Sequence, residues 1–110
     1  MPINTQWLIP SQVAFILIPK VAGVYELGNR YVDGIIRTIY IGKAGTQNTL
    51  NSRIPQHFLK SEPNGLIKKY AQYFRYETNR YPDQREKELL EEFKRMNGGQ
   101  LPFCNTQMPK

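Results

Sequence analysis

Apolar and aromatic residues form strand-like runs in the first two thirds of the chain and a helical stripe in the last third. Residues 21–32 and 35–42 are rich in β-branched and aromatic side chains, which favour strands. Asp33-Gly34, between the two runs, is typical of a two-residue hairpin turn. Residues 72–78 carry three aromatic side chains and predict a third strand.

Two shorter segments in the middle of the chain are expected to be helical. The first begins at Asn48 or Thr49, both acceptable N-caps, and runs to Phe58. Pro55 lies inside it and predicts a kink or an early end, because proline lacks the amide donor and clashes with the preceding turn. Residues 66–71 favour a short basic helix.

The longest predicted helix begins with Pro82 at its first position and runs through Met96, and Gly98 follows it as a left-handed residue. The segments together predict an α/β fold of the α+β kind, in which helices flank a small central three-stranded antiparallel sheet. A chain of 110 residues has room for one domain. Residues 1–18 are expected to cover a core formed by residues 18–105.

Positive charge is concentrated in the first part of the chain. Lys and Arg total 15 against 9 Asp and Glu, a net charge of +6, and residues 1–79 hold nine basic against four acidic side chains. A basic surface attracts polyanions, so nucleic acid is the favoured partner, ahead of a membrane. Lys60, Lys68 and Lys69 are candidate contacts to a nucleic-acid backbone, although they also fit a solvated basic helix.

The single cysteine, Cys104, and the single histidine, His57, exclude a disulfide scaffold and a structural zinc site held within the chain. The longest apolar run, residues 13–19, is shorter than the ~20 residues that cross a membrane. We therefore expect a cytoplasmic protein with no membrane partner.

Chemically useful side chains are predicted to converge on the sheet. A regular turn at residues 33–34 pairs Tyr25 with Gly42 and Tyr40 with Leu27, so the two tyrosines share one face, about 7 to 8 Å apart. Arg53 and His57, four residues apart, share one helix face, and Glu86 lies on the apolar stripe of the last helix.

Five motifs resemble those of the GIY-YIG nucleases. Gly23-Val24-Tyr25 and Tyr40-Ile41-Gly42 are similar to the two signature tripeptides, and Arg53-x-x-x-His57 is similar to the helix motif of the homing and restriction members. Glu86 and Asn105 resemble the glutamate of the metal-binding helix and the closing asparagine. The resemblance covers nearly the whole chain and extends to the nuclease domain of bacterial excision-repair incision proteins.

The resemblance implies a metal-dependent endonuclease that hydrolyses phosphodiester bonds of DNA, which is favoured over RNA. Tyr40 would be the general base, with Lys43 nearby to favour its phenolate, and Tyr25 would orient the water or share the proton. Which tyrosine removes the proton stays open. Arg53 would bind the scissile phosphate through its planar fork.

The remaining site residues are expected to support this chemistry. His57 would hold the phosphate or shuttle a proton, and Asn105 would fix the geometry of the site. Glu86 would bind one Mg²⁺ (or Mn²⁺), which keeps several waters beside a single carboxylate. For Lys43 the alternative is a simple phosphate contact, and for Glu86 it is an ordinary salt bridge at a helix N-terminus.

Two other classes of function fit the same features. One is a nucleic-acid-binding module without turnover, and the other is an interaction subunit of a larger incision complex. The sequence contains no separate recognition element, so specificity would come from a homodimer, a partner protein, the shape of the substrate, or the loop of residues 44–48.

Overall fold

The computed structural model describes residues 2–106, so Met1 and residues 107–110 of the predicted domain lie outside the described part. The fold is α+β, as predicted, with a three-stranded antiparallel sheet and four helices within the described residues. In chain order the elements are α1 (Gln12–Ile16), β1 (Gly23–Arg30), β2 (Ile36–Ala44), α2 (Leu50–Gln56), α3 (Gly65–Tyr70), β3 (Tyr73–Thr78) and α4 (Pro82–Met96). No helix between residues 2 and 106 is long and apolar enough to cross a membrane.

β1 lies at the centre of the sheet, with β2 on one side and β3 on the other. Tyr25 pairs with Gly42 and Leu27 pairs with Tyr40, which confirms the register predicted for the tyrosines. β3 pairs with β1 along nearly its whole length. Leu8, in the N-terminal segment, forms an isolated antiparallel bridge to Phe74, which extends the sheet beyond β3.

The hairpin turn differs from the predicted two-residue turn. Tyr31 N donates to Ile35 O and Gly34 N donates to Tyr31 O, so the loop has three residues. Its last residue, Gly34, adopts a φ of +83°, the left-handed conformation that closes three-residue hairpins. The pairing next to the turn is therefore one residue out of phase with the prediction. A β-bulge at Ile39, between the Leu27 and Gly28 pairs, restores the predicted register at the tyrosines.

One face of the sheet carries Tyr25 and Tyr40 and is covered by α1, α2 and α3. Phe15 of α1 packs against Phe58 and Phe74, with ring centroids 5.9 and 5.7 Å apart, so α1 covers this part of the core. Gly23 lies at the start of β1, where a Cβ atom would collide with the Glu77 carbonyl oxygen. We call this face the tyrosine face.

Helix α2, which carries Arg53, ends at Gln56, two residues before the predicted Phe58. His57 follows directly as the C-cap residue. Pro55 lies in the last turn of the helix, and His57 and Phe58 then donate to the carbonyls three residues before them, the pattern of a tightened helix end. Asn51 Nδ2 donates to the carbonyls of Phe15 and Ile18, which fixes α2 against the N-terminal segment. These contacts hold α2 over the tyrosine face.

The opposite face of the sheet is covered by α4, and we call it the α4 face. The helix spans the predicted residues, and Gly98 after it has the predicted positive φ of +64°. Leu89 and Leu90 pack on Val24 and Ile41. The inward position predicted for Glu86 is also confirmed, because Glu86 is 8% exposed.

Candidate active site

Two tyrosines form the centre of the candidate site. Tyr25 is fully buried, Tyr40 is partly exposed, and their ring centroids are 6.2 Å apart on the same face. Gly42 makes this arrangement possible, because a Cβ atom there would lie 2.5 Å from Tyr25 Cζ and 2.8 Å from Tyr40 Cε2. The glycine of the second motif therefore leaves the space that the Tyr25 ring occupies.

His57 lies against both tyrosines at the C-terminal end of α2. Its Nε2 atom is 2.7 Å from the Tyr25 hydroxyl oxygen, in a buried hydrogen bond. Its ring centroid is 5.4 Å from that of Tyr25 and 5.3 Å from that of Tyr40. Burial lowers the pKa of His57 below its ordinary value, so the imidazole is neutral at pH 7.

Glu62 is a site residue that the sequence reasoning missed. Its carboxylate is 7% exposed, and Oε2 lies 3.3 Å from His57 Nδ1. Among the described residues it is also the only acidic one between Asp33 and Glu77, in a stretch that is otherwise basic. An acidic residue within a basic stretch is the one feature of the sequence that could have indicated Glu62. Its polar neighbours predict an exposed turn.

Burial and the Arg53 guanidinium shift the pKa values of the two tyrosine hydroxyls in opposite directions. Burial raises the pKa of Tyr25 well above its ordinary value, Tyr40 adds to the rise, and Arg53 opposes it. Burial likewise raises the pKa of Tyr40, and Arg53 again opposes the rise. Both phenols are thus protonated at neutral pH, and Arg53 is the cation that most favours their ionised forms.

Glu86 joins the site from α4, which packs against the edge strand β2. Burial raises the pKa of Glu86 above its ordinary value, and the Lys43 ammonium opposes the rise. The carboxylate interacts electrostatically with Tyr25, Tyr40 and Arg53, so it belongs to the same site.

Lys43 lies beside carboxylates of α4, and the cation among the main influences on the pKa of Tyr40 is Arg53. Its Nζ atom is 2.8 Å from Asp83 Oδ1 and 3.9 Å from Glu86 Oε1. Lys43 and Tyr40 are three residues apart on a strand, so their side chains point to opposite faces. Strand alternation turns Lys43 away from the Tyr40 hydroxyl, and Arg53 is the cation that lowers the pKa of that hydroxyl.

Asn105 binds the outer edge of β2. Its Oδ1 atom accepts from Ile41 N at 2.9 Å, and its Nδ2 atom donates to Ile41 O at 3.0 Å. Cys104 N donates to Ile39 O at 2.9 Å, so the C-terminal segment extends the contact along the strand. These bonds hold the backbone between Tyr40 and Gly42.

Two clefts lie near the basic side chains. Lys60, Lys68 and His57 line a cleft of about 230 Å³, whereas Lys69 Nζ lies 5.2 Å above the Tyr70 ring. A larger groove of about 910 Å³ lies where β1 begins and β3 ends, and none of the predicted site residues lines it. The structure therefore brings two of the three predicted backbone contacts to the imidazole side of the site.

The donor set at the site fits a hydrated magnesium ion. Residues 2–106 contain no group of three or more His, Cys, Asp and Glu side chains that could hold a metal with protein ligands alone. Glu86 has one ion pair in that part of the chain, to Lys43, and the ammonium is also shared with Asp83. Mg²⁺ commonly keeps several waters and binds one or two carboxylates, so these two acids suit it.

Comparison of the sequence and structure with protein-family models, curated proteins and solved structures gave no match.

Proposed function

We propose that the protein is a metal-dependent endonuclease that hydrolyses phosphodiester bonds of DNA. One observation carries the proposal: two phenols, an imidazole, a guanidinium and a carboxylate from four separate elements meet at one site. The motif resemblance to the GIY-YIG nucleases supports the same reaction.

In the proposed reaction Tyr40 contacts the attacking water. It is the partly exposed member of the pair, whereas Tyr25 is fully buried and has no surface to offer a substrate. Because burial keeps the pKa of Tyr40 above its ordinary value, the phenol is neutral and can accept the proton of water only as it loses its own. Tyr25 and His57 lie behind it to receive that proton.

Arg53 is the group suited to hold the scissile phosphate. Its guanidinium is always charged and offers two parallel donors, which match two phosphate oxygens. It already interacts with both phenols and with Glu86. A phosphate bound there would therefore lie next to the water on Tyr40.

Glu86, with Asp83 beside it, would hold the Mg²⁺. A bound Mg²⁺ supplies Lewis-acid stabilisation of the charge that develops on the phosphate and the leaving oxygen. Lys43 balances the two carboxylates. Lys60 and Lys68 would contact the backbone of the bound strand on the imidazole side. A cytoplasmic location and specificity through a homodimer or a partner protein remain predictions.

The test of the proposal is cleavage of supercoiled plasmid and of a panel of single-stranded, duplex, flap and branched DNA and RNA. We expect nicking of DNA in Mg²⁺ and none in excess chelator. Arg53→Lys, purified identically, controls for contaminating nucleases, because it keeps the charge and loses the planar fork. Binding without cleavage in Mg²⁺ or Mn²⁺ would instead favour a binding module or an interaction subunit.

A further inference from the structure

Behind Tyr40, the hydrogen-bonded pair of Tyr25 and His57 lies next to a buried carboxylate. Tyr25 bonds to His57 Nε2 at 2.7 Å, and on the other side of the imidazole Glu62 Oε2 lies 3.3 Å from Nδ1. The other carboxylate oxygen of Glu62 accepts from Asn64 N at 3.3 Å, so the side chain is held by its own turn. His57 is thus enclosed between a phenol and an acid.

The partners of the imidazole favour one of its two neutral tautomers. If Nδ1 carries the proton, it points at the Glu62 carboxylate, and the Nε2 lone pair accepts from the Tyr25 hydroxyl. If Nε2 carries the proton, the Nδ1 lone pair faces a carboxylate oxygen, which is repulsive. The contact to Glu62 is not aligned as a hydrogen bond at rest, since Nδ1 is a buried nitrogen without a hydrogen-bond partner among residues 2–106.

We propose that Glu62 is a positioning residue, which keeps the proton of His57 on Nδ1 so that Nε2 receives the proton released by the attacking water. The assignment of the tautomer stands on the geometry alone. The direction of proton transfer rests on the proposed function.

The proton balance of the step follows from the order of the side chains. The water oxygen forms its bond to phosphorus and loses a proton to Tyr40 while the bond to the leaving oxygen breaks. The leaving oxygen keeps the electron pair of that bond and takes a proton from the solvent. Tyr40 passes its own proton to Tyr25, whose ring centroid lies 6.2 Å from that of Tyr40, and Tyr25 passes its proton to His57 Nε2. One proton leaves the water and one is gained by His57, whose new charge then faces the Glu62 carboxylate.

The other charged and titratable groups around the imidazole do not provide an alternative partner for Nδ1. Arg53 from α2 opposes a positive charge on His57. Tyr25 and Tyr40 lie at the Nε2 side and against the ring face. Glu62 is therefore the group that can stabilise an imidazolium here.

The first test is the tautomer of His57, read from long-range ¹H–¹⁵N correlations of the ¹⁵N-labelled full chain. The chain has one histidine, so the spectrum needs no assignment. We expect a protonated Nδ1 and an unprotonated Nε2 at pH 7.5. A protonated Nε2 in the wild-type protein would overturn the inference, whether or not the protein cleaves DNA.

The second test compares Glu62→Gln with Glu91→Gln, the same change at an exposed glutamate of α4. An amide can present either an oxygen or an N–H group to Nδ1, so Glu62→Gln should shift the spectrum towards the other tautomer. Cleavage should fall about 10- to 100-fold, the range found when a carboxylate that orients a metal-bound histidine is removed. Glu91→Gln should change neither the tautomer of His57 nor the cleavage rate.

Glu62→Asp keeps the negative charge at a greater distance from Nδ1. It should therefore restore part of the wild-type tautomer population and part of the wild-type cleavage rate. If Glu62→Gln leaves the tautomer and the cleavage rate unchanged, the inference is wrong. If the wild-type protein does not cleave nucleic acid, the proposed function fails, and the tautomer still decides the positioning role of Glu62.

Discussion

The two faces of the sheet each bury a carboxylate beside a basic side chain. On the α4 face, Glu26 pairs across the strands with Arg75 at 2.6 Å, and the guanidinium lies 4.1 Å from the centroid of a Trp7 ring. On the tyrosine face, Glu62 faces His57 at 3.3 Å. Glu26 faces an arginine, a residue type that is always charged. Glu62 faces a histidine, a residue type whose ordinary pKa lies near neutral pH.

We expect the first pair to be structural and the second to take part in the proposed reaction. An arginine side chain does not give up its proton, so the pair of Glu26 and Arg75 cannot relay one and stabilises the sheet around Trp7. His57 is neutral at rest and bonds to a phenol, so its pair with Glu62 has a second, charged state available. A buried acid is therefore informative about function mainly through the partner that it meets.

Tyr40→Phe should produce the largest effect on the tyrosine face. It keeps the ring and removes the proton acceptor, so cleavage at neutral pH should fall by about 10²- to 10⁴-fold while DNA affinity stays nearly constant. Tyr81→Phe, at a tyrosine that is 68% exposed, is the matched control. Single-turnover cleavage and fluorescence anisotropy measure the two quantities. Wild-type cleavage by Tyr40→Phe would make the tyrosine a packing residue.

Glu26→Gln should have its main effect on stability. Removing one partner of a buried ion pair leaves the other charge uncompensated, and we expect a loss of about 3 kcal/mol in the free energy of unfolding. The low end of the usual range applies because Arg75 is 17% exposed and stacks on Trp7. Denaturant unfolding measures this loss, with Glu91→Gln as the control. Cleavage per folded molecule should stay at the wild-type value, and a large loss of it would mean that the two faces are coupled.

Gly42→Ala and Gly28→Ala introduce the same methyl group on opposite faces. At residue 42 the new Cβ would lie 2.5 Å from Tyr25 Cζ, and at residue 28 it would lie 2.9 Å from Trp7 and Ile36 side-chain atoms. Each change should lower the free energy of unfolding by about 1–3 kcal/mol, the usual effect of overpacking. Only Gly42→Ala should also reduce cleavage per folded molecule, because it displaces the tyrosines. Equal cleavage by the two variants would contradict the division between the faces.

The smallest expected effect is the contribution of His57 to the pH dependence of stability. Its pKa is lowered in the folded state by burial, so below pH 6.5 the unfolded chain binds a proton that the folded chain does not. Stability should therefore fall as the pH falls through 6.5, by less than about 1.4 kcal/mol per pH unit. Melting temperatures at pH 7.5 and 5.5 of the wild type and His57→Asn measure this, and the difference should be smaller in the variant. If the change in melting temperature is equal in the two proteins, burial does not lower the pKa of His57.

Much of the fold follows from local sequence signals. Pro82 and Gly98 mark the ends of α4 because their backbone preferences suit those two positions. The shared face of Tyr25 and Tyr40 follows from strand alternation. The predicted turn was wrong by one residue, and the bulge at Ile39 compensated for it. Sequence patterns rarely specify a bulge, because it depends on packing across the sheet.

The parts of the candidate site that the sequence did not predict depend on long-range contacts. Glu62 reaches His57 only because the chain turns back after α2, and a polar turn carries no mark of that burial. Strand alternation turns Lys43 away from Tyr40, but the contact of Lys43 with Asp83, forty residues further on, depends on how α4 packs against β2. Tertiary packing, rather than local propensity, decides both contacts.

The measurement that tests the central claim most directly is single-turnover DNA cleavage across a Mg²⁺ titration by Glu86→Gln and Glu88→Gln. The Glu86 side chain is 11% exposed and lies at the tyrosine site, whereas the Glu88 side chain is 54% exposed and two residues further along the same helix. The account predicts that Glu86→Gln loses at least about 10³-fold in rate at every Mg²⁺ concentration and still binds DNA, while Glu88→Gln matches the wild type. An active Glu86→Gln, or an inactive Glu88→Gln, would contradict it.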